Sequence, residues 1–179
     1  VQSLKPTFNN MFGYDDALKK VKDYYNDNKK IQSINEYTGI FEGKNVIAIH
    51  AESMQTNAIG MTFNGQEVTP TLNKLVSEGM YFSNFYSQVS VGTSSDAELT
   101  YNTSLMPTKS GTAFVSYSNR KYISTPSLLK EKGYYTFSMH ANTAAFWNRQ
   151  TMHKSLGYDR FYSKADYIVD KENVIGLGL

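Results

Sequence analysis

Three groups of polar residues carry side chains able to act on a phosphoryl centre. The first is His50, Glu52 and Ser53, where a carboxylate follows an apolar run by two residues. An acidic oxygen there suits a hard divalent cation; the plainer alternative is a surface acid beside a helix start. The second is Ser90 to Glu98, whose hydroxyls Ser90, Thr93, Ser94 and Ser95 crowd a helix entrance. A Ser or Thr at such a place has helix-start amides and the helix dipole to favour an anionic group. A nearby cation would activate the hydroxyl further. The spacing of Ser95 and Glu98 predicts a capping box, which leaves Thr93 and Ser94 just outside the helix and free for chemistry. Simple capping by all these hydroxyls is the alternative.

The third group is His140 and Asn142 with Trp147 and Arg149. Arg makes bidentate contacts to phosphate, His can donate to its oxygens, and Trp can pack on a sugar-like or alkyl moiety. A core Trp beside a surface Arg is the alternative. His153 reads as structural or solvent-exposed, and the glycosylation-type triplet at Asn102 as a chance match.

Several elements are needed to position these groups. A helix is expected over Tyr14–Lys30, with Asp15 and Asp16 in its first turn and a weak apolar stripe, as on a solvated peripheral helix. Residues 45–50 (Asn-Val-Ile-Ala-Ile-His) form a continuous apolar run that suits a strand buried on both faces. Asn64-Gly65 signals a turn. Thr69-Pro70 opens a helix that ends at Gly79, and Tyr81–Val89 alternates like a second strand. Thr125-Pro126 starts a helix reaching Gly133, Tyr134–His140 is a third strand, and Ala144–Leu156 is a helix stopped by Gly157. The tail beyond it reads as irregular. Strands alternating with helices give an α/β class with a mainly parallel sheet. In such sheets ligands bind beyond the carboxyl ends of the strands, where all three polar groups fall.

The 179 residues suffice for one domain or part of a larger one. Lys and Arg total 18 against 16 Asp and Glu, a net charge of +2 without a basic stripe, so nucleic acid is not an expected partner. There is no Cys, which excludes disulfides, zinc–thiolate sites and thiol nucleophiles. No apolar run is long enough to span a membrane. The chain does not begin with Met and stops at Gly176–Leu179 without a capping pattern, which reads as an excised piece.

Residues 45–53, Val68–Leu75, Gly92–Glu98, Met139-His140 and Phe146–Arg149 resemble, in order and spacing, motifs of the lipoteichoic acid synthase family. Residues 158–162 and 173–179 have counterparts as well. The family belongs to the alkaline phosphatase/sulfatase superfamily, and the resemblance spans nearly the whole chain, most firmly from Tyr37. It implies residues 1–44 as an N-terminal helix and linker, and 45–179 as the N-terminal part of a sulfatase-like catalytic domain. The implied enzyme is a metal-dependent glycerophosphotransferase at the extracellular face of a Gram-positive cell membrane. It would move glycerol phosphate from phosphatidylglycerol onto glycolipid-anchored polyglycerol phosphate through a covalent hydroxyl-linked intermediate. Carried over by position, Glu52 is a metal ligand, with Ser94 or Thr93 as nucleophile at the same metal. His140, Trp147, Arg149 and, more weakly, Asn142 hold the glycerol phosphate group.

The implied cofactor is manganese, with magnesium as the alternative. Two departures stand out. The family's nucleophile is typically Thr; an ungapped match places Ser94 there and a one-residue shift Thr93. The family's later Asp-His metal ligands have no match here, so the resemblance implies a C-terminal half as partner and N-terminal membrane helices outside these residues. A primase, another superfamily phosphotransferase or phosphatase, or a non-catalytic binding module for wall polymers built on the 14 Tyr and 10 Phe are the competing readings.

Overall fold

The computed structural model describes residues 13–29 and 33–168. The motif at 173–179 lies outside them. The chain divides into two compact units, Val1–Ala48 and Ile49–Leu179.

In the first unit, α1 spans Tyr14–Asp27 with Asp15 and Asp16 in its first turn. Leu18, Val21, Tyr24 and Tyr25 are all exposed, as the weak stripe predicts. After it, the Asn35 side chain accepts the Tyr37 amide at 3.0 Å and organises a turn.

The second unit opens with a short 3-10 turn, Thr56–Ala58. The hairpin β1 (Thr62–Phe63) and β2 (Gln66–Glu67) follows. Asn64 and Gly65 turn it with φ of 50° and 77°, the left-handed pair a two-residue hairpin loop requires. Helix α2 is Pro70–Glu78, with Thr69 at the N-cap and Pro70 at its first position. Thr69 does not cap through its side chain; its hydroxyl donates to the Ala58 carbonyl at 2.7 Å and ties the helix to the 3-10 turn.

Helices α3 (Ser94–Thr103), α4 (Ala113–Ser116) and α5 (Thr125–Glu131) precede β3 (Phe137–Met139). A 3-10 turn at Phe146–Asn148, α6 (Arg149–Ser155), β4 (Arg160–Tyr162) and a last 3-10 turn at Lys164–Asp166 follow. Strands β3 and β4 pair in parallel, Phe137 with Arg160 through Met139 with Tyr162. This β3–α6–β4 unit is a parallel strand–helix–strand motif, in keeping with an α/β class. The core gathers Leu99 of α3, Ala113 and Phe114 of α4, and Met152 and Leu156 at α6, with Tyr122 and Tyr158 packed against it.

Four expectations change. Residues 45–50 form no strand, and Ile47 and Ile49 are each 86% exposed. Tyr81–Val89 forms none either, with Phe82, Phe85 and Tyr86 exposed. A strand exists only where a ladder partner takes its amides and carbonyls, and among the described residues the ladders are β1–β2 and β3–β4. The single helix expected over 144–156 is broken, because Trp147 and Asn148 adopt left-handed φ of 53° and 55°. The tail read as irregular supplies β4.

Candidate active site

Helix α3 begins at Ser94, and its entrance is built by Asp96. The Asp96 Oδ2 accepts the amides of Ser90 at 2.9 Å and Gly92 at 3.0 Å, folding the loop back on the helix. Ser95 donates to the Gly92 carbonyl at 2.8 Å and meets the Thr112 hydroxyl at 3.0 Å. Gly92 is required: a Cβ there would stand 2.3 Å from Asp96 Oδ1. Thr93 is strained at φ 44° and ψ −110°, so the turn that delivers Ser94 is held by its surroundings.

The capping box predicted for Ser95 and Glu98 is not formed. Ser95 is fully buried and bonded to Gly92 and Thr112, while Glu98 turns to α6. Ser94 is therefore the first helical residue, not a loop residue outside the helix. The amides of Ser95, Asp96 and Ala97 already donate to the carbonyls of Gly92 and Thr93, so they are not the free anion donors expected.

Ser94 Oγ donates to Glu52 Oε1, joining the first and second polar groups. Thr93 is exposed and its side chain makes no cap bond. A carboxylate and a hydroxyl side by side form a hard oxygen pair that fits part of the shell of a divalent cation. No cluster of three or more His, Cys, Asp or Glu able to hold a metal occurs among the described residues. His50 is exposed.

His140 follows β3 directly, its amide extending the parallel ladder to Tyr162 at 2.9 Å. Its Nδ1 accepts the Asn142 amide at 3.1 Å. That leaves Nε2 as the position for the ring proton of a neutral imidazole. Burial lowers the His140 pKa, and the Arg149 charge lowers it further against the opposing pull of Glu98 and Glu52. The Asn142 carbonyl oxygen of the side chain accepts the Thr143 amide at 2.6 Å, so it serves the turn. Trp147 is half-buried and stands edge-on to Phe146, ring centres 6.1 Å apart.

Arg149 is 3% exposed, the reverse of a surface Arg beside a core Trp. Its Nε and Nη2 donate to Glu98 Oε1 at 2.9 and 2.7 Å. His153 Nε2 meets Glu98 Oε2 at 2.8 Å, and its Nδ1 meets Ser138 Oγ at 2.7 Å. Burial pushes the Glu98 pKa up, but the hydrogen bonds and charges of His153 and Arg149 overcome it and hold the carboxyl below its ordinary value. Sequence reasoning missed Glu98 and His153 as members of this network. The available signals were spacings of four: Ser94 to Glu98 on one helix, Arg149 to His153 on another, each pair sharing a face.

The chain is similar to known proteins over most of its length. The sulfatase family model matches residues 44–175. The chain is 44% identical over 148 residues to lipoteichoic acid synthase 1 of Bacillus subtilis (strain 168), covering 80% of this chain and 23% of that protein. It is 40% identical over 169 residues to the lipoteichoic acid synthase of Staphylococcus aureus (strain USA300), covering 92% of this chain and 26% of that protein. The crystal structure of the lipoteichoic acid synthase LtaP from Listeria monocytogenes superposes with a TM-score of 0.77 at 34% identity, covering 83% of this chain and 37% of that one. The chain thus spans about a quarter of the length of the curated relatives it matches. With an α/β unit in which Ser94 meets Glu52 at a helix start, the chain belongs to the sulfatase family, in the lipoteichoic acid synthase branch of the alkaline phosphatase/sulfatase superfamily.

Proposed function

We propose that the chain carries the nucleophile half of a metal-dependent glycerophosphotransferase that builds polyglycerol-phosphate lipoteichoic acid. The observation that carries this reading is the hydrogen bond from Ser94 Oγ to the Glu52 carboxylate at the start of α3. It favours Ser94 over Thr93 as nucleophile, because Ser94 alone of the two has a carboxylate to take its proton.

Ser94 Oγ attacks the phosphorus of phosphatidylglycerol as its proton leaves toward Glu52. The bond from phosphorus to the diacylglycerol oxygen breaks, and that oxygen takes up a proton. Glycerol phosphate is then held on Ser94 as an ester. The terminal hydroxyl of the growing polymer attacks the same phosphorus and loses its proton to solvent, the bond to Ser94 breaks, and the Ser94 oxygen takes back the proton held on Glu52. His140, donating from Nε2, and Arg149 are the groups assigned to the phosphoryl oxygens. Trp147 lines the glycerol side, and Asn142 shapes the turn that carries His140. A divalent cation, manganese or magnesium, would be held by Glu52 and Ser94 among its ligands; when bound it would lower the pKa of the attacking hydroxyl and offset charge on the phosphoryl group.

The proposed substrates, phosphatidylglycerol and a glycolipid-anchored polymer, place the enzyme at the extracellular face of a Gram-positive membrane. Among the described residues no helix is long and apolar enough to cross a membrane, so attachment is assigned to N-terminal membrane helices outside them. Residues 45–179 are read as part of the catalytic domain, completed by a C-terminal half, with residues 1–44 leading into it.

The test uses a full-length form spanning the length of the relatives. Labelled glycerol phosphate transfer from phosphatidylglycerol vesicles is followed with manganese. Ser94→Ala is expected to lower transfer about a thousandfold or more, and Thr93→Ala far less. Full activity in both variants overturns the assignment.

A further inference from the structure

We propose that Glu98 is a positioning residue that fixes the Arg149 guanidinium to the helix bearing the nucleophile. The proposal rests on the reading of Ser94 and Arg149 above and adds a residue to which that reading gives no part.

Glu98 lies one turn beyond Ser94 on α3, on the same face. Its two oxygens divide their partners. Oε1 takes Nε and Nη2 of Arg149, and Oε2 takes Nε2 of His153. Arg149 and His153 lie one turn apart on α6, so a single carboxylate clamps two helices. The far end of the clamp is also held. Ser138 of β3 meets His153 Nδ1, and the His153 ring packs against Phe161 and Tyr158, with centres 4.7 and 5.5 Å apart.

A guanidinium is planar and rigid, so fixing Nε and Nη2 fixes the direction of Nη1. Nη1 is buried and has no hydrogen-bond partner. A buried charged donor left unpaired is unfavourable, and an oxygen anion is the ligand that would complete it. Glu98 therefore sets the one nitrogen of Arg149 that has no partner in the protein. It shares α3 with Ser94, so the guanidinium is anchored to the helix that bears the attacking oxygen. His140 belongs to the same electrostatic neighbourhood, since Arg149, Glu98 and Glu52 all act on its ring.

A stability-only ion pair predicts a different experimental outcome from a positioning residue. In the full-length form, inhibition of transfer by sn-glycerol 1-phosphate reports the substrate site, and manganese titration reports the Glu52 and Ser94 side. Glu98→Gln, Arg149→Lys and the double variant are compared. Positioning predicts that each single variant weakens inhibition about tenfold or more, and that the double is no worse than the weaker single, because both break one unit. Manganese affinity stays at the wild-type value. Unchanged inhibition in Glu98→Gln, or single effects that multiply in the double, overturns the proposal. Wild-type inhibition in Arg149→Lys instead overturns the substrate reading of Arg149. If Glu98→Gln fails to fold, His153→Gln supplies the test. It loosens the second oxygen of the clamp, and inhibition at the wild-type value with a lowered melting temperature would mark the network as structural only.

Discussion

Ser94 and Glu52 lie 42 residues apart in sequence and share one hydrogen bond, with the serine hydroxyl as donor. The chain folds so that the first residue of α3 and a turn residue after an apolar run meet as two hard oxygen donors. Glu52 is exposed and Ser94 half-buried, so both oxygens lie within reach of a ligand.

If the pair belongs to a cation shell, Glu52→Ala weakens manganese binding by the full-length form by at least about tenfold. Ser94→Ala removes a neutral ligand and weakens it less. Calorimetric titration measures both. Wild-type affinity in Glu52→Ala would remove Glu52 from the metal.

Gly92 sets the position of Ser94. Alanine there puts a methyl carbon 2.3 Å from Asp96 Oδ1 and 2.8 Å from Ser95 Oγ. The loop must shift or Asp96 must release the amides it holds. Gly92→Ala is expected to cost about 1–3 kcal/mol of stability and to lower transfer about a hundredfold, because the reacting oxygen moves. Thermal melting and a transfer assay check the two effects. Wild-type melting would show that the loop has room the structure does not display.

Glu98 sets an acid limit on stability. Its folded pKa lies below the ordinary carboxylate value of 4.5. A carboxylate of this kind binds fewer protons folded than unfolded. Its stabilisation is complete above the unfolded value and is lost as pH falls through the lowered folded value. Denaturant melts of wild type and Glu98→Gln between neutral pH and about pH 3 test this. The wild type is expected to lose more stability than the variant over the acid part of that range. Parallel curves would mean that Glu98 does not titrate against Arg149 and His153.

Local signals were legible in the sequence and distant pairings were not. Asn64-Gly65 turned a hairpin, and Thr69-Pro70 and Thr125-Pro126 started helices, because each depends on a few adjacent dihedrals. The apolar run at 45–50 looked like a strand, but a ladder needs a partner that no local pattern specifies. Glu98 fitted a capping box three residues from Ser95, yet its carboxylate pairs with Arg149, 51 residues away. A buried guanidinium outcompetes a helix cap for a carboxylate, since a charged group without partners is more costly to bury than a helix amide that can find a carbonyl. Trp147 gave no warning of a left-handed backbone, which Asn148 tolerates more readily. Glu52 and Ser94, from two separate polar groups of the sequence, meet in one hydrogen bond that no local pattern specifies.

His140, directly after β3, makes the last prediction. Burial and the Arg149 charge hold its pKa below the ordinary 6.5. The imidazole thus stays neutral at pH values where a free histidine is half charged. Its Nδ1 is occupied by the Asn142 amide, so the proton sits on Nε2, where it can be donated to a phosphoryl oxygen across neutral pH. If this donor acts in transfer, His140→Ala lowers the rate about a hundredfold or more, as loss of one donor to a developing oxyanion does. His140→Gln keeps an N–H but not the titrating ring, and retains more activity than the alanine variant. In the pH–rate profile, any inflection that depends on His140 falls below pH 6.5 and vanishes in His140→Gln. An inflection above pH 6.5 that disappears with the ring would show that Glu52 and Glu98, rather than burial and Arg149, dominate at His140.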